Sequence, residues 1–139
     1  FEGTNIQYVP SDLFSKNPKL KQVYGLFMYC NNLTTSNSGF LSTQPLIDVF
    51  GAFSYCGALT KVNSDFAQNA QPENAVDPNR MFRGCFYKDQ KLQSAPNFYS
   101  KFANTKNDNV AGCYCGCKTL SFYNSLPEVW TQYLRTWDI

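Results

Sequence analysis

Apolar residues recur along the chain in a pattern that returns after about 26 residues. The stretches 20–33 and 46–59 align without a gap and share Leu, Val, Gly, Phe, Tyr, Cys and Leu in register. The pattern returns over 110–120, and a degraded copy keeps the Phe-x-x-Cys spacing with Phe82 and Cys85. Self-similarity at a fixed period predicts an architecture of stacked repeats, in which each copy buries the apolar face of its neighbour.

A second pattern, Leu-x-x-Φ-x-small-x-Φ, follows each repeated Leu. Its rungs start near residues 6, 33, 59, 92 and 120, in steps of 27, 26, 33 and 28 residues. A period of roughly 20 to 29 residues with short Leu-rich segments is typical of leucine-rich repeats. We therefore expect an α/β fold, a right-handed leucine-rich-repeat solenoid. It would have about five short parallel strands on one side and irregular or short helical segments on the other.

The longer steps between rungs place two insertions, and the final segment differs from the repeats. Residues 67–79 and 103–109 are polar and lack periodicity, which predicts surface loops. Ser125, Pro127 and Glu128 have the spacing of a capping box with Pro in the first turn. We expect a single domain over 1–139 that ends in a capping helix over 126–139. Alternatively, this last segment continues as a further coil of a longer parent protein.

Composition and charge exclude several classes of function. The net charge is +2 and the basic residues are scattered, whereas nucleic-acid binding needs a basic stripe. No apolar stretch approaches the roughly 20 residues of a transmembrane segment. The chain has no His, which removes the commonest general base and metal ligand. We therefore expect a protein that is not an enzyme, has no catalytic residues and needs no cofactor.

Six cysteines invite a disulfide or metal interpretation. Four of them are assigned to one repeat position, namely Cys30, Cys56, Cys85 and Cys117. That placement predicts a column of buried free thiols, since free Cys behaves as a small hydrophobe. A bridge from Cys113 or Cys115 to Cys85 in an oxidising compartment is one alternative. A metal held by Cys113, Cys115 and Cys117 is less favoured, because the paired spacing of structural zinc sites is absent.

The second pattern also predicts an outward-facing surface. In an extended segment alternate side chains point away from the core, so the x positions should reach solvent. The candidate ligand-binding residues at these positions are Tyr8, Thr35, Asn37, Lys61, Asn63 and Phe122. They would form a neutral, hydrogen-bonding surface with an aromatic ring near each end. Repeat proteins commonly bind partners on such a face, although a solvated surface without a ligand remains the alternative.

Two phrases in the chain resemble the BspA-like class of leucine-rich repeats. They are VPSDLFSKN at 9–17 and FMYCNNLT at 27–34, which are similar to the family motif Phe-x-x-Cys-x-x-Leu-x-x-Ile-Pro. The resemblance extends from Ile6 to Trp130. It departs from the family pattern at the 67–79 insertion and at an apparent expansion between Cys85 and Leu92.

The resemblance implies a location and a kind of function. BspA-like repeats are common in surface proteins and lipoproteins of Bacteroides-type bacteria and in some protozoa. It therefore implies an extracellular or bacterial cell-surface protein, with a lipoprotein as one form. The chain begins with Phe1 rather than Met, so we expect a mature or trimmed fragment that lacks any leader. The family functions centre on adhesion, and its pattern contains no catalytic residues to carry over.

These observations predict a non-catalytic, cell-surface or secreted adhesion module that binds a host or bacterial surface protein. The first alternative is a carbohydrate-binding module, in which Tyr8, Phe122 or the Tyr29–Tyr55 pair would stack on a glycan. The second alternative is a structural spacer that displays another domain of a longer protein.

Overall fold

A computed structural model describes residues 1–102 and 104–135. The elements, in chain order, are strands β1 (Tyr8–Val9) and β2 (Thr35–Ser36) and helices α1 (Phe98–Lys101), α2 (Asn107–Val110) and α3 (Glu128–Thr131). Short 3-10 turns cover Pro72–Asn74 and Tyr123–Ser125. The strands β1 and β2 are parallel, and Tyr8 lies opposite Thr35. Within the described ranges no helix is long and apolar enough to span a bilayer.

The prediction of a leucine-rich-repeat solenoid with about five parallel strands is wrong. The described part of the chain contains two strands of two residues each, in one sheet, and three α-helices of four residues each. Three isolated parallel bridges accompany the sheet, namely Gln22–Asp48, Thr35–Lys61 and Lys61–Ser94. The rungs expected near 59 and 92 thus supply single bridges rather than strands.

Hydrogen bonding explains why the repeated pattern does not form strands. The N–H group of Gly25 donates to the carbonyl of Phe50 in the next copy at 2.8 Å. The N–H group of the adjacent Leu26 instead closes a turn onto the carbonyl of Val23 at 3.2 Å. The same alternation recurs in the later copies. Because every second amide bonds within a turn, the copies are hydrogen-bonded to one another without an extended backbone.

Left-handed backbone conformations recur at fixed places in these turns. The repeated glycines have φ values between 59° and 63°, and they are Gly25, Gly51, Gly84 and Gly112. Four positions later the backbone is left-handed again, at Tyr29, Tyr55, Lys88 and Gly116. Glycine adopts this conformation without the steric cost of a side chain. The repeated glycine in the sequence is therefore a turn signal rather than a strand feature.

These conformations also correct the register of the third copy. Gly84 and Phe86, not Phe82, take the places of Gly51 and Phe53, since the two Phe rings stack with centroids 5.7 Å apart. Asp89 then occupies the position of Cys56, and Cys85 lies outside the expected column. The apparent expansion before Leu92 disappears, because the extra length lies entirely upstream of Gly84. The predicted alignment followed the Phe-x-x-Cys spacing, which Phe82 and Cys85 satisfy by coincidence.

A row of aromatic rings forms the centre of the core. Phe27, Phe53 and Phe86 follow one another at centroid distances of 5.4 and 5.7 Å. Tyr114 continues the row 5.4 Å from Phe86, and Trp130 on α3 lies 6.0 Å beyond it. All five side chains are buried. Each copy thus adds one ring to the row, and α3 covers its C-terminal end.

The expected capping helix over 126–139 is much shorter than predicted. Within 126–135 only α3 is helical, because Gln132 adopts φ −65° and ψ 149° and ends the helix. The extended backbone brings Leu134 to Tyr87, whose hydroxyl donates to the Leu134 carbonyl at 2.8 Å and accepts from its N–H group at 3.1 Å. Residues 136–139 of the predicted helix lie outside the described residues.

Candidate binding surface

Parallel pairing brings three of the predicted surface residues into one row. Tyr8 pairs with Thr35 in the sheet, Thr35 is bridged to Lys61, and Lys61 is bridged to Ser94. We call Tyr8, Thr35, Lys61 and Ser94 the polar row. Tyr8 is 59% exposed at one end, Lys61 and Ser94 are exposed and Thr35 is half-buried. Adjacent strand positions lie about 4.8 Å apart, so the row is about 14 Å long.

Hydrogen bonds beside the polar row hold adjacent copies together. The N–H group and the hydroxyl of Thr34 both donate to the carbonyl of Gln7 at 2.9 Å. The same two groups of Thr60 donate to the carbonyl of Thr34 at 2.9 and 3.1 Å. These paired bonds fix the spacing of the row before any partner arrives. A preorganised surface loses less conformational entropy on binding.

The two predicted asparagines differ in exposure. Asn37 is exposed beside the polar row, and its N–H group donates to the carbonyl of Val9 at 3.0 Å. Asn63 is only 2% exposed. Its side-chain oxygen accepts from the hydroxyl of Ser36 at 2.7 Å, and its side-chain N–H donates to the carbonyl of Phe40 at 2.9 Å. Because these bonds satisfy its amide in the interior, Asn63 lies inside the fold rather than on the binding surface.

Phe122 lies apart from the polar row. Its side chain is half-buried, and its ring meets the ring of Tyr114 edge-on at 5.3 Å. Among the described residues the pairing that defines the row runs from Tyr8 to Ser94. The sequence pattern predicts that Phe122 lies at one end of the surface, but its ring packs on the aromatic core instead.

A separate tyrosine cluster lies on the turns. The rings of Tyr29 and Tyr55 stack at 4.9 Å with an interplanar angle of 11°. The ring of Tyr87 meets Tyr55 edge-on at 5.5 Å, and the ammonium of Lys88 lies 4.9 Å from the ring of Tyr133. Sequence reasoning finds the first pair but misses Lys88 and Tyr133. Their positions depend on the corrected register of the third copy and on the end of α3.

The cysteines are buried and unbridged. All six are free. Three thiols donate to carbonyls of preceding copies at 3.0 to 3.1 Å, in the pairs Cys30–Phe1, Cys56–Phe27 and Cys117–Phe86. Burial, with a smaller contribution from nearby Asp89, raises the pKa of both Cys85 and Cys117. Nucleophilic attack and metal binding need the thiolate, which burial disfavours at Cys85 and Cys117. Cys30, Cys56 and Cys117 act as structural hydrogen-bond donors.

Asp89 is a buried group that the sequence pattern does not reveal. It has no solvent exposure, and one carboxyl oxygen accepts from the N–H group of Cys56 at 2.8 Å. The other carboxyl oxygen has no hydrogen-bond partner. Burial raises the pKa of Asp89 well above its ordinary value, although the bond from Cys56 opposes the shift. Its flanking residues Lys88 and Gln90 are polar, so the sequence around Asp89 predicts an exposed loop.

Arg80 joins the third copy to the preceding one. Its guanidinium Nε donates to the carboxylate of Asp48 at 3.0 Å, and the group lies 4.8 and 5.0 Å from the rings of Tyr24 and Phe50. Asp48 is buried and also accepts from the N–H group of Phe50 at 3.0 Å. The ion pair therefore has a structural role between copies.

The described residues contain no group of three His, Cys, Asp or Glu side chains placed to hold a metal ion. The polar row and Asn37 present hydroxyls, one amide, one ammonium and one tyrosine ring. No family model, curated protein or solved structure matches this chain.

Proposed function

We propose that this protein is a non-catalytic adhesion module, cell-surface or secreted, that binds a surface protein of a host or of another bacterium. The polar row and Asn37 form the binding surface. The observation that carries this proposal is the register of Tyr8, Thr35 and Lys61, which lie side by side although 27 and 26 residues separate them in sequence. Membership of the BspA-like repeats is part of the same proposal.

The chemistry of the polar row suits a polypeptide partner. Its length of about 14 Å matches about four residues of an extended chain at 3.3 to 3.6 Å per residue. Tyr8 offers a large ring with a hydroxyl at its tip, a side chain that often anchors protein interfaces. Thr35, Lys61 and Ser94 offer hydrogen-bond donors at regular spacing. The single charge, on Lys61, favours an acidic group on the partner.

The carbohydrate alternative at the predicted rings has weaker support. Tyr29 and Tyr55 cover each other at 4.9 Å, so their shared faces are closed to a sugar. Phe122 is half-buried against Tyr114. Of the rings in that set, Tyr8 is the most exposed, and it belongs to the polar row.

The proposal is tested by screening the purified protein against two immobilised panels, one of host matrix and serum proteins and one of glycans. The Thr35→Arg/Lys61→Glu variant changes the polar row. The Ser15→Arg/Lys16→Glu variant makes the same charge changes at two exposed positions elsewhere. We expect a protein ligand that the control retains and the row variant loses, with at least about a tenfold change in affinity for about 1.4 kcal/mol of lost contacts.

Other results of the screen would contradict the proposal in different ways. Equal binding by both variants would remove the polar row as the site. A ligand on the glycan panel alone would favour a carbohydrate-binding module, and no ligand on either panel would favour a spacer. Thermal unfolding of each variant shows whether a loss of binding reflects a loss of the fold.

A further inference from the structure

The two insertions and the end of α1 border a partly open cavity of about 440 Å³. Pro72, Glu73 and Pro78 line it from the first insertion, and described residues of α1, of α2 and of the segment between these helices line it from the other side. Cavities of roughly 300 to 1,000 Å³ are typical of sites for small molecules. This cavity lies on the segments that interrupt the repeats, and the polar row contributes no residue to it.

A buried side chain with an unused hydrogen-bonding atom lines this cavity. Asn109 is only 5% exposed, and its side-chain oxygen has no hydrogen-bond partner. Its main chain is satisfied, since its N–H group donates to the carbonyl of Lys106 at 3.0 Å and its carbonyl accepts from Phe82 at 2.7 Å. Buried polar atoms nearly always have a partner. Because Asn109 lines the cavity, a small rotation of its side chain would present this acceptor to a ligand that donates a hydroxyl or an N–H group.

Charge and apolar surface narrow the class of ligand. Lys101 and Lys106 both line the cavity with exposed side chains, and no described carboxylate forms an ion pair with either. Glu73 is the lone acidic residue of the lining, so the lining carries a net charge of 2 − 1 = +1. The half-buried ring of Phe102 adds an apolar surface. Two ammonium groups beside an aromatic ring favour an anion that also has an apolar face.

We propose that this cavity binds a hydroxylated carboxylate of the size of one acidic sugar, of which a uronic acid is the representative. The carboxylate lies between Lys101 and Lys106. One ligand hydroxyl donates to the side-chain oxygen of Asn109, and the C–H face of the ring packs on Phe102. Glu73 accepts a second hydroxyl. A free acid and the end of an acidic polysaccharide share this chemistry. The site is separate from the polar row and independent of the protein partner.

Calorimetric titration of the whole chain with galacturonate tests the ligand class. Galactose has the same hydroxyls without the charge, and acetate has the charge without the hydroxyls. We expect galacturonate to bind at least about tenfold more tightly than either, which corresponds to one charge-assisted hydrogen bond. An oligogalacturonate that binds more tightly than the monomer identifies a polysaccharide end as the ligand, and equal affinities identify the free acid. Absence of galacturonate binding, or equal affinity for all three small ligands, overturns the proposal.

Variants locate the site. Lys101→Gln and Lys106→Gln should each weaken galacturonate binding about tenfold, because each removes one charged donor. Asn109→Leu should abolish binding while raising the melting temperature, since it deletes an unpartnered buried polar group. Such a gain in stability with a loss of binding does not arise from a merely damaged fold.

The Lys61→Gln variant in the polar row is the matched control and should bind galacturonate unchanged. If Asn109→Leu fails to fold, the exposed lysine variants still decide the outcome. Unchanged galacturonate affinity in a Lys101→Gln/Lys106→Gln double variant would place the acid elsewhere and refute the site. Because Lys61→Gln probes the other surface, failure of this proposal and failure of the protein-binding proposal are distinguishable.

Discussion

The second copy of the repeated pattern, 46–59, and the third copy, 79–92, use the same position of the core in opposite ways. In the second copy Cys56 donates its thiol hydrogen to the carbonyl of Phe27 at 3.1 Å. In the third copy Asp89 takes that position and accepts from the N–H group of Cys56 at 2.8 Å. The aromatic row passes through both copies without a break. Ring packing therefore fixes the register, and the neighbouring position tolerates a change from a donor to an acceptor.

Both copies combine apolar packing with buried polar atoms that have no hydrogen-bond partner. These atoms are the hydroxyl oxygen of Ser54 in the second copy, one oxygen of Asp89 in the third copy and one oxygen of Asn109 in the second insertion. Unsatisfied buried polar atoms lower the stability of a protein. The regular copy is therefore not free of this cost, and Asn109 differs from the other two residues in that it lines the cavity described above.

The largest effect is expected when a second carboxyl is placed at the repeated position that Cys56 and Asp89 occupy, which we call the column. Cys56→Asp would put an acceptor opposite the carbonyl of Phe27 and next to Asp89, where no cation pairs with it. We expect a loss of about 3 to 5 kcal/mol in the free energy of unfolding at pH 7, as for an uncompensated buried charge. Urea denaturation measures the change.

The control for this substitution is Cys56→Ser, which keeps a hydrogen donor at the same place. It should lose only about 1 kcal/mol, the value of a weakened hydrogen bond with slightly poorer packing. If the Asp and Ser variants unfold at the same urea concentration, a carboxyl at this position costs no more stability than a hydroxyl. The difference between Cys56 and Asp89 would then have no energetic basis.

A second comparison uses the repeated glycines. A Cβ at Gly112 would lie 2.7 Å from Cγ of Leu134 and 2.9 Å from the carbonyl oxygen of Gln132, whereas a Cβ at Gly25 would meet only Cε of Met28 at 4.0 Å. Both sites have positive φ, so Ala costs about 1 to 2 kcal/mol at either. Gly112→Ala should lose about 1 to 2 kcal/mol more than Gly25→Ala because of overpacking. Equal unfolding midpoints would show that the segment after α3 does not pack on the last copy.

The smallest effect is expected for Asp89→Cys, which gives the third copy the Cys that the second copy has at this position. Burial raises the pKa of Asp89 in the folded protein, so the folded state holds this proton more tightly than the unfolded state does. The resulting stabilisation is fully present below about pH 4, the ordinary pKa range of Asp. It is lost as the pH rises towards the folded-state pKa. Asp89→Cys removes this carboxyl and also removes the acceptor of the Cys56 N–H group, so the stability of the variant relative to the natural chain should improve between pH 4 and pH 7, by about 1 to 2 kcal/mol.

The pH dependence distinguishes this explanation from simple repacking. Denaturation of both proteins at pH 4 and at pH 7 should show a difference that grows with pH, because only the natural chain carries the Asp89 carboxyl. A difference that stays constant from pH 4 to pH 7 would mean that the carboxyl does not titrate on unfolding.

The contacts between repeated copies could be predicted from the sequence, because they depend on the period of the pattern. The copies at 20–33 and 46–59 do lie against each other, since Gly25 donates to Phe50, and the spacing of Tyr8, Thr35 and Lys61 does place them side by side. The expected strands are wrong because the left-handed glycines turn the backbone, and an apolar pattern alone does not show φ. A three-residue spacing matched by chance misplaces the third copy, although Gly84 and Phe86 preserve the glycine spacing that would have corrected it.

The burial of Asn63 and the cavity between the insertions are not predictable in the same way. Asn37 and Asn63 occupy equivalent places in the pattern, yet only Asn63 finds partners for its amide inside the fold, at Ser36 and Phe40. That difference depends on neighbours distant in sequence. The cavity depends on how two aperiodic segments meet, for which the repeated pattern carries no information.

The aromatic row has a consequence for how such a chain can change in evolution. Phe27, Phe53 and Phe86 each present a similar ring to the next copy. Recombination could therefore remove or duplicate a whole copy, and the copies on either side would still pack ring against ring. Point mutation of one ring leaves a gap between its two neighbours, whereas an in-frame duplication leaves none. The length of a lineage's proteins would therefore drift in whole copies, while the exposed positions of the 67–79 insertion are free to diversify residue by residue.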